Sequence, residues 1–100
     1  MSMEKKKFCI YVLSNRFRTV YYVGFTSDIS KRYEQHRAKT VFGFTSQYNL
    51  TDLVYIEFFE DAYSAIAREK QLKGWRRDKK LELIKRVNPD LSDIGLKYVF

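Results

Sequence analysis

Cysteine, proline and glycine are scarce in this chain of 100 residues, which has one cysteine, one proline and four glycines. A single thiol, Cys9, excludes an internal disulfide and a cysteine-rich zinc site. The low glycine and proline content, beside 45% hydrophobic and 17% aromatic residues, excludes a disordered, collagen-like or low-complexity chain. The length permits one modest core. We therefore predict a single domain over residues 1–100, with its core at about 7–88 and a C-terminal tail at 89–100.

Long apolar stretches are also missing. The run Phe8–Leu13, which follows Lys5, Lys6 and Lys7, has six residues and is too short for a signal peptide or a membrane span. No other part of the sequence approaches the length of a membrane span. We therefore expect a soluble, cytoplasmic protein that does not span a membrane.

Basic residues are abundant and unevenly distributed. The chain has 19 Lys and Arg against 12 Asp and Glu, a net charge of +7. Residues 1–39 and 68–86 each carry nine basic and three acidic side chains, whereas residues 40–67 carry four acidic side chains and no basic one. This distribution predicts one positive face. Such a face fits a phosphate-rich partner, either a nucleic acid or an anionic membrane surface.

Hydrophobic periodicity predicts a small α+β fold in the order β-β-α-β-α-α. Two segments rich in aromatic and β-branched residues form a hairpin, and a third such segment follows a long loop at 38–52. The predicted strands are Phe8–Leu13, Val20–Phe25 and Leu53–Phe59. The predicted helices run from about Ile29 to Arg37, from Asp61 to near Gly74, and from about Arg77 to Val87.

Residues with capping or apolar side chains refine the predicted helices. Thr26 and Ser27 offer the N-cap of the first helix, with Asp28 in its first turn. Asn88 ends the third helix because the residue before a proline is pushed out of the helical region. The side of the third helix that we expect to be buried consists of Leu81, Ile84 and Val87.

Two tyrosines occupy matching places in the predicted hairpin. A turn about Arg16 and Phe17 pairs residues whose numbers sum to 33, so Tyr11 and Tyr22 lie directly opposite each other on one face. Paired tyrosines also stabilise ordinary sheets. On the register alone, a structural role is the simpler interpretation.

Three polar residues lie beside the apolar stripes of the predicted helices. Glu69 is at helical spacing from Ala65 and Leu72, so its carboxylate follows the buried stripe. A buried carboxylate needs a partner or a cation; the alternatives are a salt bridge to a buried arginine and a boundary position. Arg32 and His36 are one turn apart, which places a guanidinium and an imidazole on one edge. Both residue types also serve structural roles, and no serine or cysteine triad competes with them.

The order and spacing of these residues resemble the GIY-YIG nuclease superfamily, in particular its small free-standing bacterial members, which are similar to the N-terminal nuclease domain of a bacterial excision-repair protein. The matching residues are Cys9-Ile10-Tyr11, Tyr22-Val23-Gly24, Arg32, His36 and Glu69 in Ala67-Arg68-Glu69-Lys70. Two positions depart from the family pattern, because Cys9 replaces the first glycine of GIY and Val23 is the middle residue of YIG. The resemblance implies a three-stranded antiparallel sheet flanked by helices, in agreement with the predicted order.

The resemblance also implies metal-dependent phosphodiester hydrolysis. Glu69 would bind one divalent cation, Mg²⁺ or Mn²⁺, and Arg32 would hold the scissile phosphate. Tyr11 would act as general base on the attacking water or orient it, with Tyr22 as the substitute. His36 would relay the proton of the tyrosine or hydrogen-bond the site.

Further residues are expected to support the site or to bind the substrate. Asn88 either matches the asparagine that supports the family's active site or only ends a helix. Phe42, Phe44 and Tyr48 of the long loop either stack on exposed bases or cap the core, and capping is the simpler role. Seven basic side chains are predicted to track a nucleic-acid backbone, the alternative being a solvated surface. They are Lys31, Lys70, Lys73, Arg76, Arg77, Lys79 and Lys80.

We therefore predict a divalent-metal-dependent endonuclease of the GIY-YIG type, with no small-molecule cofactor. Its expected substrate is DNA rather than RNA, cut in a structure-selective reaction of repair or recombination. A basic nucleic-acid-binding module without turnover is the alternative. A membrane-surface protein is ranked last, because the apolar stripe of the third helix is needed by the core.

Overall fold

A three-stranded antiparallel sheet forms the middle of the protein. The computed structural model describes residues 7–38 and 43–98, and its strands are β1 (Phe8–Ser14), β2 (Tyr21–Thr26) and β3 (Asp52–Phe59). β1 lies between the other two, so the spatial order is β2-β1-β3. The predicted sheet is confirmed, and each strand begins and ends within one residue of its expected position.

The helices follow the predicted order β-β-α-β-α-α, with two short additions among the described residues, one of them a 3-10 turn at Gly95–Tyr98. Helices α1 (Ile29–Arg37), α3 (Ala62–Lys73) and α4 (Arg77–Val87) are the three expected ones, and a single turn, α2 (Phe44–Gln47), interrupts the predicted loop. Asp61 caps α3 as predicted, because its carboxylate accepts the Ser64 N–H at 2.8 Å. Within residues 7–38 and 43–98, no helix has the length and apolar character needed to cross a membrane.

The N-cap of α1 is Asp28 rather than Thr26 or Ser27. The Asp28 carboxylate accepts the Lys31 N–H at 3.1 Å. The Thr26 hydroxyl is used one step earlier, where it accepts the Asp28 N–H at 3.0 Å. The turn before α1 therefore extends to Asp28, and the helix begins at Ile29.

Each face of the sheet has its own hydrophobic core, because side chains alternate along β1. On the face covered by α3 and α4, Ile10 and Val12 pack with Leu72 and Ile84. On the face covered by α1, the core consists of Cys9, Tyr11, Leu13, Ile29, Tyr33, Leu50 and Leu53.

Val87 does not contribute to these cores, contrary to prediction. It is the last residue of α4 and is exposed, whereas the neighbouring Asn88 is buried. At the end of α4, the polar cap residue Asn88 therefore faces the interior, and the apolar Val87 faces solvent.

The pairing of β1 with β2 also differs from the predicted register. Tyr11 lies opposite Gly24, and Tyr22 lies opposite Leu13, so the numbers of paired residues sum to 35 instead of 33. The two tyrosines are therefore diagonal neighbours rather than direct partners.

The loop between β1 and β2 explains this shift. The Asn15 side-chain oxygen accepts the N–H groups of Thr19 and Val20 at 2.9 and 3.1 Å. Arg18 adopts a φ of 57°, in the left-handed region. These features close a six-residue loop centred on Phe17 and Arg18, one position later than the turn predicted from the sequence.

The segment after α4 packs against the α1 side of the protein. The Asp93 carboxylate accepts the Tyr33 hydroxyl at 2.8 Å and the Leu53 N–H at 3.0 Å, and it pairs with Arg37 at 3.0 Å. Gly95 lies against the Tyr33 ring, where any side chain would clash. Part of the predicted C-terminal tail therefore holds α1 on the sheet.

Candidate active site

Tyr11 is buried at the centre of the α1 face, with 1% of its surface exposed. Its ring lies on Gly24, its partner in β2. A Cβ atom at position 24 would come within 2.5 Å of the Tyr11 hydroxyl oxygen, so another residue there would displace the ring. The glycine that ends Tyr22-Val23-Gly24 is therefore required by the position of Tyr11, a steric role that the sequence pattern alone does not indicate.

Two further rings lie beside the Tyr11 ring. The centroid of the Tyr22 ring is 6.5 Å from that of Tyr11, and the centroid of the His36 ring is 6.1 Å from it. Tyr22 is two residues from Gly24 in β2 and therefore shares its face of the sheet. The register shift thus changes the partner of Tyr22 but keeps the two tyrosines together. We call Tyr11, Tyr22, Arg32 and His36 the Tyr11 group.

His36 of α1 is a buried polar residue. It is 5% exposed, and neither ring nitrogen has a partner among the residues that the structure describes. Burial lowers the pKa of His36, and the positive charge of Arg32 lowers it further. Because most buried polar groups are hydrogen-bonded, this neutral imidazole has unused capacity to accept a proton or a hydrogen bond.

Burial also decides the protonation state of Tyr11. It raises the pKa of Tyr11 to about 12, and the opposing effect of the nearby Arg32 guanidinium is smaller. The phenol is therefore protonated near neutral pH. A role as general base requires more positive charge close to the hydroxyl, whereas a role in orienting water does not.

Glu69 approaches this group from the other side of the sheet. It lies on α3, whose Leu72 packs on the face opposite Tyr11. The Glu69 side chain is 18% exposed and pairs with the ammonium of Lys73 at 2.9 Å. The same ammonium is 5.4 Å from the centroid of the Tyr22 ring. Because β2 is an edge strand, Lys73 links Glu69 to Tyr22 around that edge of the sheet. The salt-bridge partner of Glu69 is thus a half-exposed lysine, in place of the buried arginine that was one alternative from the sequence.

The donor set near Glu69 fits one divalent cation that keeps most of its water. The described part of the chain has no group of three or more His, Cys, Asp or Glu side chains that could together hold a metal ion. Mg²⁺ commonly binds through one or two carboxylates and completes its shell with water and phosphate oxygens. Lys73 is half-exposed on a flexible stem, so it can move away from Glu69 at low cost.

A polar pocket of about 300 Å³ opens beside Arg32. Lys31 and Arg32 bring two positive charges to it and Asp28 one negative charge, and this net positive charge suits a phosphate group. Gln35 also lines this pocket and was not predicted, although its position one helical turn after Lys31 was a usable signal. The full lining is Thr26, Ser27, Asp28, Lys31, Arg32 and Gln35.

Two of the other predicted nucleic-acid-binding side chains, Arg77 and Lys80, lie towards the opposite end of β2. Arg77 donates a hydrogen bond to the Thr19 carbonyl, and its guanidinium is 5.5 Å from the centroid of the Tyr21 ring. Lys80 and Arg77 line a second pocket of about 240 Å³. Basic residues are thus found near both ends of β2. Lys70 is exposed on α3, Arg76 is exposed at the N-cap of α4, and Lys79 is exposed within α4.

Both polar atoms of the Asn88 side-chain amide form hydrogen bonds within the protein. Its Nδ2 donates to the carbonyls of Val54 and Ser92 at 2.9 and 2.8 Å, and its Oδ1 accepts the N–H and the hydroxyl of Ser92 at 3.2 and 3.1 Å. These bonds tie the end of α4 to β3. The structure brings Asn88 together with β3 and the C-terminal segment rather than with the Tyr11 group.

The predicted long loop places an aromatic residue at the surface and a leucine in the core. Tyr48 is 44% exposed, whereas the neighbouring Leu50 is fully buried. Leu50 therefore caps the core, and Tyr48 does not have the capping role expected from the sequence. Phe42 and the side chain of Phe44 lie outside the described part of the chain.

Comparison with known proteins relates this geometry to a family. The family model of the GIY-YIG catalytic domain matches residues 7–82, a range that includes the Tyr11 group and Glu69 and ends before Asn88. A UPF0213 protein of Bacillus cereus is 34% identical over 87 residues, which cover 87% of this chain and 90% of that protein. A UPF0213 protein of Staphylococcus aureus is 36% identical over 64 residues, or 64% of this chain and 78% of that protein.

A solved structure agrees with the fold. The solution NMR structure of a UPF0213 protein from Bacillus halodurans is similar with a TM-score of 0.56 at 20% identity, over 93% of this chain and 98% of that one. Identity at that level shows a common fold alone. The family model and the Bacillus cereus relative cover most of the chain, and the chain therefore belongs to the GIY-YIG family of nuclease domains.

Proposed function

We propose that this protein is a divalent-metal-dependent endonuclease that hydrolyses phosphodiester bonds of DNA, in a structure-selective reaction of repair or recombination. The observation that carries the proposal is the position of Tyr11, which lies on Gly24 beside Arg32 and His36. A phenol, a guanidinium and an imidazole with no hydrogen-bond partner among residues 7–38 and 43–98 are thus close together. Membership of a family whose nucleases generally use a divalent metal supports the reaction class.

In this proposal the phosphate of the substrate binds beside Arg32. The planar guanidinium donates two parallel hydrogen bonds to a phosphate, and Lys31 adds a second charge in the same pocket. Negative charge builds on the phosphate oxygens in the transition state, where a fixed cation has its largest effect. The DNA backbone then follows the edge of β2 towards Arg77 and Lys80.

Tyr11 and His36 handle the attacking water in the proposed reaction. The Tyr11 hydroxyl orients the water and receives its proton, while the phenolic proton passes to the neutral imidazole of His36. His36 can accept this proton because its ring nitrogens have no partner among the described residues. A divalent cation held by Glu69 would supply positive charge that stabilises the phosphate and favours the ionised phenol.

A nucleic-acid-binding module without turnover is the second candidate. Two observations favour it: the Glu69 carboxylate is paired with Lys73, and burial keeps Tyr11 protonated. The basic residues near both ends of β2 serve this function equally well.

The two candidates are separated by a cleavage assay on duplex, branched and single-stranded DNA and on matched RNA. We expect cleavage of DNA with Mg²⁺ or Mn²⁺, faster on branched substrates than on intact duplex, and none in EDTA. Activity must elute with the protein at constant specific activity, which excludes a contaminating nuclease. Binding without cleavage in either metal would support the module, and equal cleavage of RNA would contradict the preference for DNA.

A further inference from the structure

A third pocket, of about 300 Å³, lies between the β1–β2 loop and residues 48–51. Two aromatic side chains line it and are unusually open to solvent: Phe17 is 76% exposed and Tyr48 is 44% exposed. We call it the hairpin pocket. Its lining is Asn15, Arg16, Phe17, Tyr48, Asn49 and Thr51.

Both walls of the hairpin pocket are held in place by interactions behind them. The Asn15 side chain closes the β1–β2 loop, and Arg18 pairs with Asp52 at 2.8 Å and donates to the Asn15 carbonyl. On the other wall, Leu50 is fully buried in the core that contains Tyr11. The pocket is therefore largely formed before any ligand binds, which keeps the entropic cost of binding low.

The chemistry of the lining matches an unpaired nucleobase. Aromatic faces stack on bases of any sequence, and the amide of Asn49 and the hydroxyl of Thr51 suit the polar edge of a base. The Arg16 guanidinium is 5.7 Å from the centroid of the Phe17 ring and brings positive charge to where a phosphate would follow. A second copy of this chain fits less well, because both copies carry a net charge of +7.

The hairpin pocket is connected to the candidate active site through two elements. Tyr22 is the second residue of β2, directly after the loop that forms one wall. Thr51 of the other wall precedes Asp52, whose carboxylate is 3.8 Å from Arg37 at the end of α1. One wall of the pocket is therefore continuous along the chain with Tyr22 of the Tyr11 group, and the other with a residue that contacts α1.

We propose that the hairpin pocket binds an unpaired base of single-stranded DNA next to the bond that is cut. In a duplex the bases are stacked and paired, so they are not available to Phe17 and Tyr48. The placement of the cut rests on the proposed nuclease function, whereas the binding of the base does not. The pocket makes a single-stranded segment part of the preferred substrate.

The test is fluorescence anisotropy in EDTA, with a labelled single-stranded oligonucleotide and the blunt duplex of the same length. Phe17→Leu keeps an apolar side chain but removes the ring, and we expect about tenfold weaker binding of the single strand. Binding of the duplex and the slope of log affinity against log salt should not change, because no phosphate contact is removed. Phe17→Trp should restore binding. Tyr63→Leu, at an exposed position of α3 outside the pocket, is the matched control.

Three outcomes would overturn the proposal: no loss in Phe17→Leu, an equal loss for single strand and duplex, or an equal loss in Tyr63→Leu. An abasic strand that binds the wild type as tightly as a normal strand would do the same. If the wild type cuts nothing but Phe17→Leu loses single-strand binding selectively, the pocket is supported and the nuclease function fails. If the protein cuts DNA and Phe17→Leu binds single strands normally, the nuclease function is kept and the pocket is rejected.

Discussion

Two groups of polar residues, each centred on a tyrosine, belong to the two faces of the same sheet. The Tyr11 group lies on the α1 face. On the α3 face, Tyr55 of β3 lies with Glu57 and with Arg68 of α3. Burial raises the pKa of both tyrosines, and each has an arginine nearby that opposes the shift. The two groups are therefore alike in having a buried tyrosine beside an arginine.

They differ in how many of their hydrogen bonds are made within the protein. The Tyr55 hydroxyl donates to Glu57 at 2.5 Å, and Arg68 donates to both Glu57 oxygens and to Gln71. His36 in the Tyr11 group leaves both ring nitrogens without a described partner. A satisfied buried network rigidifies a fold, whereas an unsatisfied one costs stability. We infer that the α3-face group is structural and that the Tyr11 group keeps capacity for substrate.

Replacement of two carboxylates, Glu69 of α3 and Glu57 of β3, should give the largest contrast. Glu69→Gln keeps the shape of the side chain but weakens its hold on a divalent cation, so we expect cleavage to fall below detection with metal-free DNA binding nearly intact. The lost pair with Lys73 should change stability by only about 0.5 kcal/mol. Glu57→Gln should instead lower the free energy of unfolding by about 1–3 kcal/mol and leave cleavage unchanged.

Oligonucleotide cleavage and urea unfolding followed by Trp75 fluorescence measure the two effects. A folded Glu69→Gln protein with wild-type activity would show that Glu69 is not the metal ligand. Loss of activity in a folded Glu57→Gln protein would show that the α3-face group also serves the reaction and is not only structural.

The two tyrosine hydroxyls provide the next contrast. Tyr11→Phe keeps the ring on Gly24, so the fold should remain, while the cleavage rate should fall about 10²–10⁴-fold through loss of a proton-transfer group. Tyr55→Phe removes one hydrogen bond to a charged partner and should cost about 1–3 kcal/mol of stability with a normal rate. Single-turnover cleavage and urea unfolding of both variants measure this. Loss of rate in proportion to loss of stability in both would contradict a chemical role for Tyr11.

Lys73 competes with a divalent cation for Glu69, which predicts a smaller effect on metal affinity. Lys73→Met removes this competitor, and a half-exposed ion pair is worth up to about 1 kcal/mol, so Mn²⁺ affinity should rise up to about fivefold. Titration of Mn²⁺ followed by electron paramagnetic resonance measures this without any cleavage. Lys70→Met removes the same charge from an exposed position of α3. Equal gains in both variants would show only a general effect of charge.

Helices α3 and α4 were predictable from the sequence because single residues mark their ends. Asp61 accepts the N–H at the start of α3, Gly74 follows its last residue, and Asn88 before a proline ends α4. The strands were predictable from their β-branched and aromatic composition. The register of the hairpin was not, because it depends on how the Asn15 side chain closes a six-residue loop with Arg18 in a left-handed conformation.

The candidate site was predictable only in part. Helical spacing brings Arg32 and His36 to one edge of α1, as expected. The contact of Tyr11 with Gly24 depends on the register, and the ion pair of Glu69 depends on the rotamer that Lys73 adopts. Neither follows from a local pattern, since both are set by tertiary packing.

The smallest expected effect separates the two groups by pH. Burial, helped by the charge of Arg32, holds the pKa of His36 below its ordinary value of 6.5. Burial alone would raise the pKa of Glu57, but hydrogen bonds from Arg68 and Tyr55 outweigh it and hold that pKa below the ordinary 4.5. In both cases the unfolded chain binds the proton more readily, so stability falls as the pH decreases. The loss begins near pH 6.5 for His36 and only near pH 4.5 for Glu57.

Between pH 8 and pH 5, the pH dependence of the free energy of unfolding in urea should therefore reflect His36 of the Tyr11 group and not Glu57. We expect the wild type to lose stability below pH 6.5, with a slope of at most about 1.4 kcal/mol per pH unit for one proton. His36→Leu should remove this slope and be at least as stable as the wild type at pH 8, because the imidazole makes no described hydrogen bond that the leucine would lose. Glu57→Gln should keep the slope while lowering the whole curve. A wild type whose stability is flat over this range, or a His36→Leu variant that keeps the slope, would show that His36 has a partner and that the two groups are equally satisfied.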